Sequence, residues 1–130
     1  MLHIHGKADP CWPFAGGHGS CPGQPDGSYA DVPGSIVGSA AEPGWARRDG
    51  CALDAPQIEA LPDLVDDGTT ATRQAFTGCA ADVELITVEG AGHTWPGGDQ
   101  YLGEGIVGKV SRDFSASQRV LDFFAAHPMP

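Results

Sequence analysis

The sequence has 130 residues, 41% of them hydrophobic, and a net charge of −10. That is enough for one domain with one core and too apolar for a disordered chain. The acidity speaks against nucleic acid, whose phosphates need a basic face, and against an anionic membrane surface; scattered acidic residues also serve plain solubility.

In chain order, LHIHG (2–6) reads as a short buried strand placed directly after Met1, with no basic n-region and no long apolar run. No signal peptide is therefore expected, and no stretch reaches the length of a membrane span. Residues 7–31 are rich in Gly, Pro and Ser and read as a long irregular loop carrying Cys11 and Cys21. A short helix is expected before Pro43, and another around Trp45 to Arg48 that stops near Gly50. Residues 52–69 read as a further loop, with Asp66-Asp67-Gly68 as its turn. Residues 70–76 extend with β-branched and alternating residues. Residues 83–89 give the clearest strand, with Val83, Leu85 and Thr87 on one face and Glu84, Ile86 and Val88 on the other. The short TGCAAD between them suits a hairpin-type connection.

The stretch GAGHTWPGG (90–98) follows that strand and carries His93 among glycines. Near the chain end, Ser115 and Gln118 fit a capping box, and Ala116, Val120, Leu121, Phe123 and Phe124 give a helix an apolar, core-packing face that Pro128 ends. The four cysteines, Cys11, Cys21, Cys51 and Cys79, lack CxxC spacing, which speaks against structural zinc. They permit three disulfide connectivities among which spacing does not choose.

Asp9 and His93 each sit just after an expected strand. In a parallel arrangement both would lie at the same carboxyl edge, where open α/β sheets place their sites. A carboxylate on one imidazole nitrogen fixes the tautomer, and the other nitrogen then takes a proton from a nucleophile. The order Asp then His is the one α/β-hydrolases use after their serine. The plainer reading is a polar turn whose histidine fills space. The expected serine on a G-x-S-x-G turn is missing: Ser20, Ser28, Ser35, Ser39, Ser111, Ser115 and Ser117 all lack the flanking glycines, and GGHG (16–19) is a weak imitation of an oxyanion stretch. A rival reading makes His3 and His5, with Asp9, His18 and His93, the ligands of a metal-dependent hydrolase, but H-x-H at a strand end is a weak signal and no metal is assigned.

LHIHGKADP, the Cys51 and Cys79 contexts, DGTTATRQAFTGC, VELITVEGAGHTWPGG and SASQRVLDFFAAHP together resemble the C-terminal half of the polyhydroxybutyrate depolymerase and feruloyl esterase group of α/β-hydrolases. The resemblance runs in order over nearly the whole sequence, and HG-x-AD and GHTWPGG are its most specific parts. It implies a partial α/β-hydrolase fold, over residues 1–130, with residues 2–6 and 83–89 as parallel neighbours in a mostly parallel sheet. Residues 70–76 would be an antiparallel edge strand and the C-terminal helix would pack on one face. It implies a serine-type carboxylic ester hydrolase acting on polyhydroxyalkanoate or on feruloyl or acetyl groups of plant polysaccharide, with no cofactor. His93 would be its general base and then general acid, Asp9 would orient it, Trp95 would line the substrate pocket, and the serine would lie in an N-terminal half that this sequence does not contain. The resemblance pairs Cys51 with Cys79 and leaves Cys11 and Cys21 for a second, local bridge. Its members are typically extracellular or cell-envelope proteins. PCWPFAGG, the Gly/Ser-rich segment with Cys21, and the break at Pro43-Gly44 depart from the pattern.

Two consequences follow for the chain by itself. With two triad members and no serine it is expected to be inactive alone, and a non-catalytic, truncated or degenerate product is the alternative to an esterase. A hydrolase core without its first strands also exposes a sheet edge and an apolar face, so self-association through that edge is expected.

Overall fold

The computed structural model describes residues 1–22, 28–29 and 31–128. Its centre is a four-stranded sheet in the order β1-β6-β5-β4, where β1 is Leu2–Gly6, β4 Ala52–Ala60, β5 Thr70–Thr77 and β6 Glu84–Glu89. A small ribbon pairs β2 (Gly17–His18) with β3 (Ser28–Tyr29). The helices are α1 (Val32–Val37), α2 (Trp45–Arg48), α3 (Glu104–Val107) and α4 (Ala116–Ala126). This is a mixed α/β arrangement.

β6 organises the sheet because both of its faces are apolar. Leu85 and the neighbouring Val83 pack with Val32, Ile36, Ala46, Cys51 and Phe76. Ile86 and Val88 point the other way, into Leu61, Ala71 and Ala91, with Leu2, Ile4 and Phe114 closing over them. Successive side chains of a strand alternate between faces, so the alternation in 83–89 feeds two cores, one under α1 and α2 and one on the opposite side.

β1 runs parallel to β6, Leu2 opposite Glu84 and Gly6 opposite Val88, as expected. β5 lies antiparallel to β6, Ala75 opposite Glu84 and Thr70 opposite Glu89. Two expectations are corrected here. Residues 52–69 are not all loop: Ala52–Ala60 form the longest strand, antiparallel to β5. Residues 70–76 are therefore not the edge, and the sheet is not mostly parallel, because one neighbouring pair is parallel and two are antiparallel. The physical reason is local. Pro56 lacks an N–H and is confined to strand edges and bulges, and the register of β4 shifts between Ala52 and Gln57. β4 also exposes most of its side chains, so no alternation marks it.

The expected short helices are present. Asp31 caps α1 by accepting from the Gly34 N–H, and Gly50, at φ +68°, turns the chain after α2. The Asp66-Asp67-Gly68 turn is also present and serves as a hub. Asp67 accepts from the backbone N–H and hydroxyl of Thr69 (2.8 and 2.7 Å) and from the Arg112 N–H (2.8 Å). Burial acts to raise the Asp67 carboxyl, but these hydrogen bonds and Lys109 bring it below its ordinary value.

α4 departs from expectation twice. Ser115 accepts from the Gln118 N–H (3.2 Å), but the Gln118 side chain donates to Asp122 (2.7 Å) rather than back to the cap, so half of the capping box forms. Nor is α4 a core helix on its whole apolar side: Ala116 is buried, whereas Leu121 is 62% and Phe124 65% exposed. The expected long loop over 7–31 is tied by the β2–β3 ribbon and by a Cys11–Cys21 disulfide; its residues 23–27 and 30 lie outside the described residues. The second disulfide is Cys51–Cys79, at a sequence separation of 28. It joins the start of β4 to the β5–β6 turn, and a loop of that size stabilises by about 3–4 kcal/mol in the chain-entropy model.

Candidate functional site

The parallel pairing of β1 with β6 sends both chains out at the same end of the sheet, and their two loops cross there. Lys7 and Ala8 donate backbone N–H groups to Val88 and Ala91 carbonyls, each at 2.9 Å. Gly92 then bonds Lys109 (2.9 Å) and His93 bonds Val107 (2.6 Å) through their N–H groups. This crossing needs glycine. A methyl on Gly6 would run into the Ala91 and Gly92 carbonyls, 2.8 Å from the Ala91 carbonyl carbon, and one on Gly92 would overlap the Val107 carbonyl and sit 2.5 Å from Gly108 Cα. The glycines of HG-x-AD and GAGHTWPGG are therefore the means by which two backbones approach closely enough for their side chains to meet.

They meet as a hydrogen-bonded pair. His93 Nδ1 lies 2.9 Å from Asp9 Oδ2. The other oxygen, Oδ1, accepts from the N–H groups of Cys11 (2.8 Å) and Trp12 (2.7 Å). Asp9 is buried, and an ionised carboxylate with three donors around it is fixed in place. Because a carboxylate only accepts, Nδ1 of a neutral His93 carries the proton and Nε2 is left as a proton acceptor. The His93 side chain is 48% exposed. Its backbone is pinned as well, by the Tyr101 hydroxyl donating to the His93 carbonyl (2.6 Å).

A second histidine stands behind Asp9. His5 Nε2 lies 3.6 Å from Asp9 Oδ2 and bonds the Trp12 carbonyl at 2.9 Å. A carbonyl only accepts, so Nε2 of His5 is protonated; its Nδ1 pairs with His3 Nε2 at 3.2 Å. Burial, and secondly the charge of His5, push the His3 imidazole below its ordinary value.

An open cleft of about 650 Å³ runs along this corner, lined by His3, His5, Asp9, Trp12, Trp45, His93 and Trp95 among others. Trp95 borders this cleft, 53% exposed, with its indole N–H donating to Ser117 Oγ (2.9 Å). Of the described serines, Ser35 also borders the cleft, but its hydroxyl donates to the Val32 carbonyl (2.8 Å). Among the described residues, the His93 side chain is hydrogen-bonded to Asp9 and to no serine.

Among the described residues, the group close enough to share a cation is Asp9, Cys11 and His93, which leaves out His3, His5 and His18. With Cys11 sulfur in its disulfide, that group keeps two donors. Residue-level reading missed Cys11, Trp12 and Tyr101 as neighbours of the pair. Cys11 and Trp12 follow Asp9 by two and three residues, the spacing at which an aspartate bonds backbone N–H groups ahead of it, and that signal was available. Nothing comparable marks Tyr101, which reaches His93 only through the fold.

Over 125 residues the chain is 30% identical to "Putative esterase NocK" of Nocardia uniformis subsp. tsuyamanensis, a match covering 95% of this chain and 36% of that protein. The relationship is esterase-like, and the chain spans about a third of its relative's length. No protein-family model matches the chain, and no solved structure does.

Proposed function

We propose that His93 is the general base and acid, and Asp9 the carboxylate that orients it, of a serine-type carboxylic ester hydrolase of the polyhydroxybutyrate depolymerase and feruloyl esterase type, built on an α/β-hydrolase fold. The observation that carries this reading is the 2.9 Å bond from His93 Nδ1 to a buried, doubly anchored Asp9 carboxylate. The esterase-named relative, matched along 95% of this chain, supports it. In this reading the nucleophilic serine comes from polypeptide outside the 130 residues.

The chemistry follows from the tautomer. His93 Nε2 accepts the serine hydroxyl proton as Oγ attacks the ester carbonyl carbon, and Asp9 stabilises the resulting imidazolium. When the C–O bond to the leaving alcohol breaks, His93 returns the proton to that alcohol. Water then repeats the cycle on the acyl-enzyme: His93 takes its proton, the acid leaves, and serine regains its hydrogen. The cleft beside His93, with Trp12, Trp45 and Trp95 along it, would receive the ester, a polyhydroxyalkanoate or an acylated plant polysaccharide. Nucleic acid and membrane surfaces have no part in this reading. An extracellular or cell-envelope location suits the two disulfides.

The test joins this chain to a serine-bearing upstream segment and assays a short-chain nitrophenyl ester. Asp9→Asn is expected to lower kcat about 10⁴-fold, and His93→Ala at least as much. Full activity in His93→Ala would end the assignment. A second reading, that the chain alone is not catalytic, is favoured by the absence of a serine bonded to His93 among the described residues. It predicts no hydrolysis by the isolated chain, and self-association across the free edge of β1, which sedimentation would register as dimer.

A further inference from the structure

We propose that reduction of the Cys11–Cys21 disulfide turns Asp9, Cys11 and His93 into a binding site for a borderline divalent cation of the Zn²⁺ type. The motivating geometry is that a carboxylate oxygen of Asp9, Sγ of Cys11 and a ring nitrogen of His93 all lie within 4.8 Å of one another. Oxygen, thiolate sulfur and imidazole nitrogen together form a donor set suited to zinc. Tetrahedral zinc, with bonds near 2.0–2.3 Å, sets donor–donor separations of about 3.3–3.8 Å. Seating a metal therefore needs shifts of about 1 Å or less: Asp9 and His93, now 2.9 Å apart, open slightly as the cation replaces the proton between them, which leaves to solvent, and a released Cys11 side chain is free to rotate toward them. The Cys11 N–H bond to Asp9 Oδ1 (2.8 Å) keeps the two side chains on one turn while it does so.

In the oxidised chain the disulfide withholds the sulfur. The two ends of that bridge are unequal. Cys11 is buried, whereas Cys21 is partly exposed, its Sγ 3.5 Å from the Ile106 carbonyl at the surface. A small dithiol can reach Cys21: its thiolate attacks Cys21 Sγ, the S–S bond breaks, and Cys11 leaves as thiolate beside His93. The second thiol of the reductant then displaces Cys21. The reductant ends as a disulfide, and its two electrons and two protons reside on the Cys11 and Cys21 thiols.

Release of Cys11 changes the local electrostatics. A thiolate next to the buried Asp9 carboxylate places two anionic donors together, which is unfavourable unless one is protonated or a cation joins them. A cation reaches them past the half-exposed His93, and the net charge of −10 favours its approach. Zinc on His93 would also fix the ring against its role as a base. That effect alone rests on the hydrolase reading, whereas the metal site stands without it.

Cys21→Ser tests the proposal with Co²⁺ as the probe, because it leaves the Cys11 thiol unpaired and the Cys51–Cys79 bridge intact. The expected result is a thiolate-to-cobalt charge-transfer absorption that saturates at one equivalent and is displaced by Zn²⁺. Oxidised wild type should show no such band. Cys21→Ser combined with His93→Ala or with Asp9→Asn should bind at least about tenfold more weakly, and Cys11→Ser should lack the band. Absence of the band in Cys21→Ser, or an affinity unchanged by His93→Ala, would overturn the proposal. Phosphine-reduced Cys51→Ala/Cys79→Ala, freed of reductant, gives a second reading if Cys21→Ser folds poorly, because Cys11 and Cys21 are then its two thiols: cobalt binding that vanishes on reoxidation and is weakened by His93→Ala supports the site, and its absence contradicts it. No hydrolysis is measured, so failure here leaves the ester-hydrolase reading intact, and the converse holds.

Discussion

The corner where Asp9 and His93 meet and the flank carried by α4 are built to different standards. At the corner, backbone crosses backbone without room for a methyl group, and each loop is bonded to the other. Along α4, one residue is buried and two large apolar side chains face outward. The contacts within these 130 residues are enough to set the His93 tautomer. They are not enough to cover the helix that follows. Tight packing transmits any added volume, whereas an exposed face tolerates substitution.

The largest effect that would break this contrast belongs to Gly92→Ala. The added methyl would meet backbone of Val107 and Gly108, and we expect a loss of about 3 kcal/mol or more, seen as a fallen denaturation midpoint. A near-neutral result would mean the crossing is looser than described. Next, removing Cys51–Cys79 with paired alanines should cost about 3–4 kcal/mol in the same measurement. By contrast Leu121→Ser or Phe124→Ser should change stability by no more than about 0.5 kcal/mol, since both side chains already face water. A loss above about 2 kcal/mol would show that α4 is covered, by a second copy if the effect depends on protein concentration.

The smallest effects are in pH dependence, and the two regions should respond with opposite sign. His3, near the corner, has its pKa lowered by burial and by His5. The folded state then holds fewer protons than the unfolded state just below the ordinary value of 6.5, so stability falls as pH drops through that window. His127, at the end of α4, has its pKa raised by its bond to the Phe123 carbonyl and by Asp82. Its contribution is present below pH 6.5 and is lost as pH rises through the folded value. Melts across this range should show His3→Gln flattening the acid-side loss and His127→Gln flattening the other. An unchanged pH profile in both variants would contradict the assignment.

The same contrast explains what was legible in the sequence. β5 and β6 are marked by alternating residues and each has buried positions, whereas the parallel pairing of β1 with β6 is implied by the family resemblance and not by any local pattern. β4 is hidden, since Pro56 interrupts it and most of its side chains face solvent; its placement depends on pairing with β5, which no local pattern encodes. Asp9 and His93 stand out because each follows a strand with glycine nearby, Gly6 before Asp9 and Gly90 and Gly92 before His93, and the close approach shows what Gly6 and Gly92 are for. The apolar face of α4 is equally legible as a pattern, but pattern reports what a surface can bury and not what covers it. Gln118 shows the same limit on a smaller scale: the capping-box spacing is present, yet Asp122 takes the side chain.

The claim on which the functional reading turns is that Asp9 holds the neutral His93 ring with its proton on Nδ1, leaving Nε2 to accept. ¹⁵N NMR of the imidazole nitrogens measures this directly on the 130-residue chain at alkaline pH. The account predicts an Nδ1–H tautomer in the wild type and a mixed or reversed population in Asp9→Ala. A wild-type ring protonated mainly on Nε2, or a tautomer ratio that Asp9→Ala leaves unchanged, would contradict it.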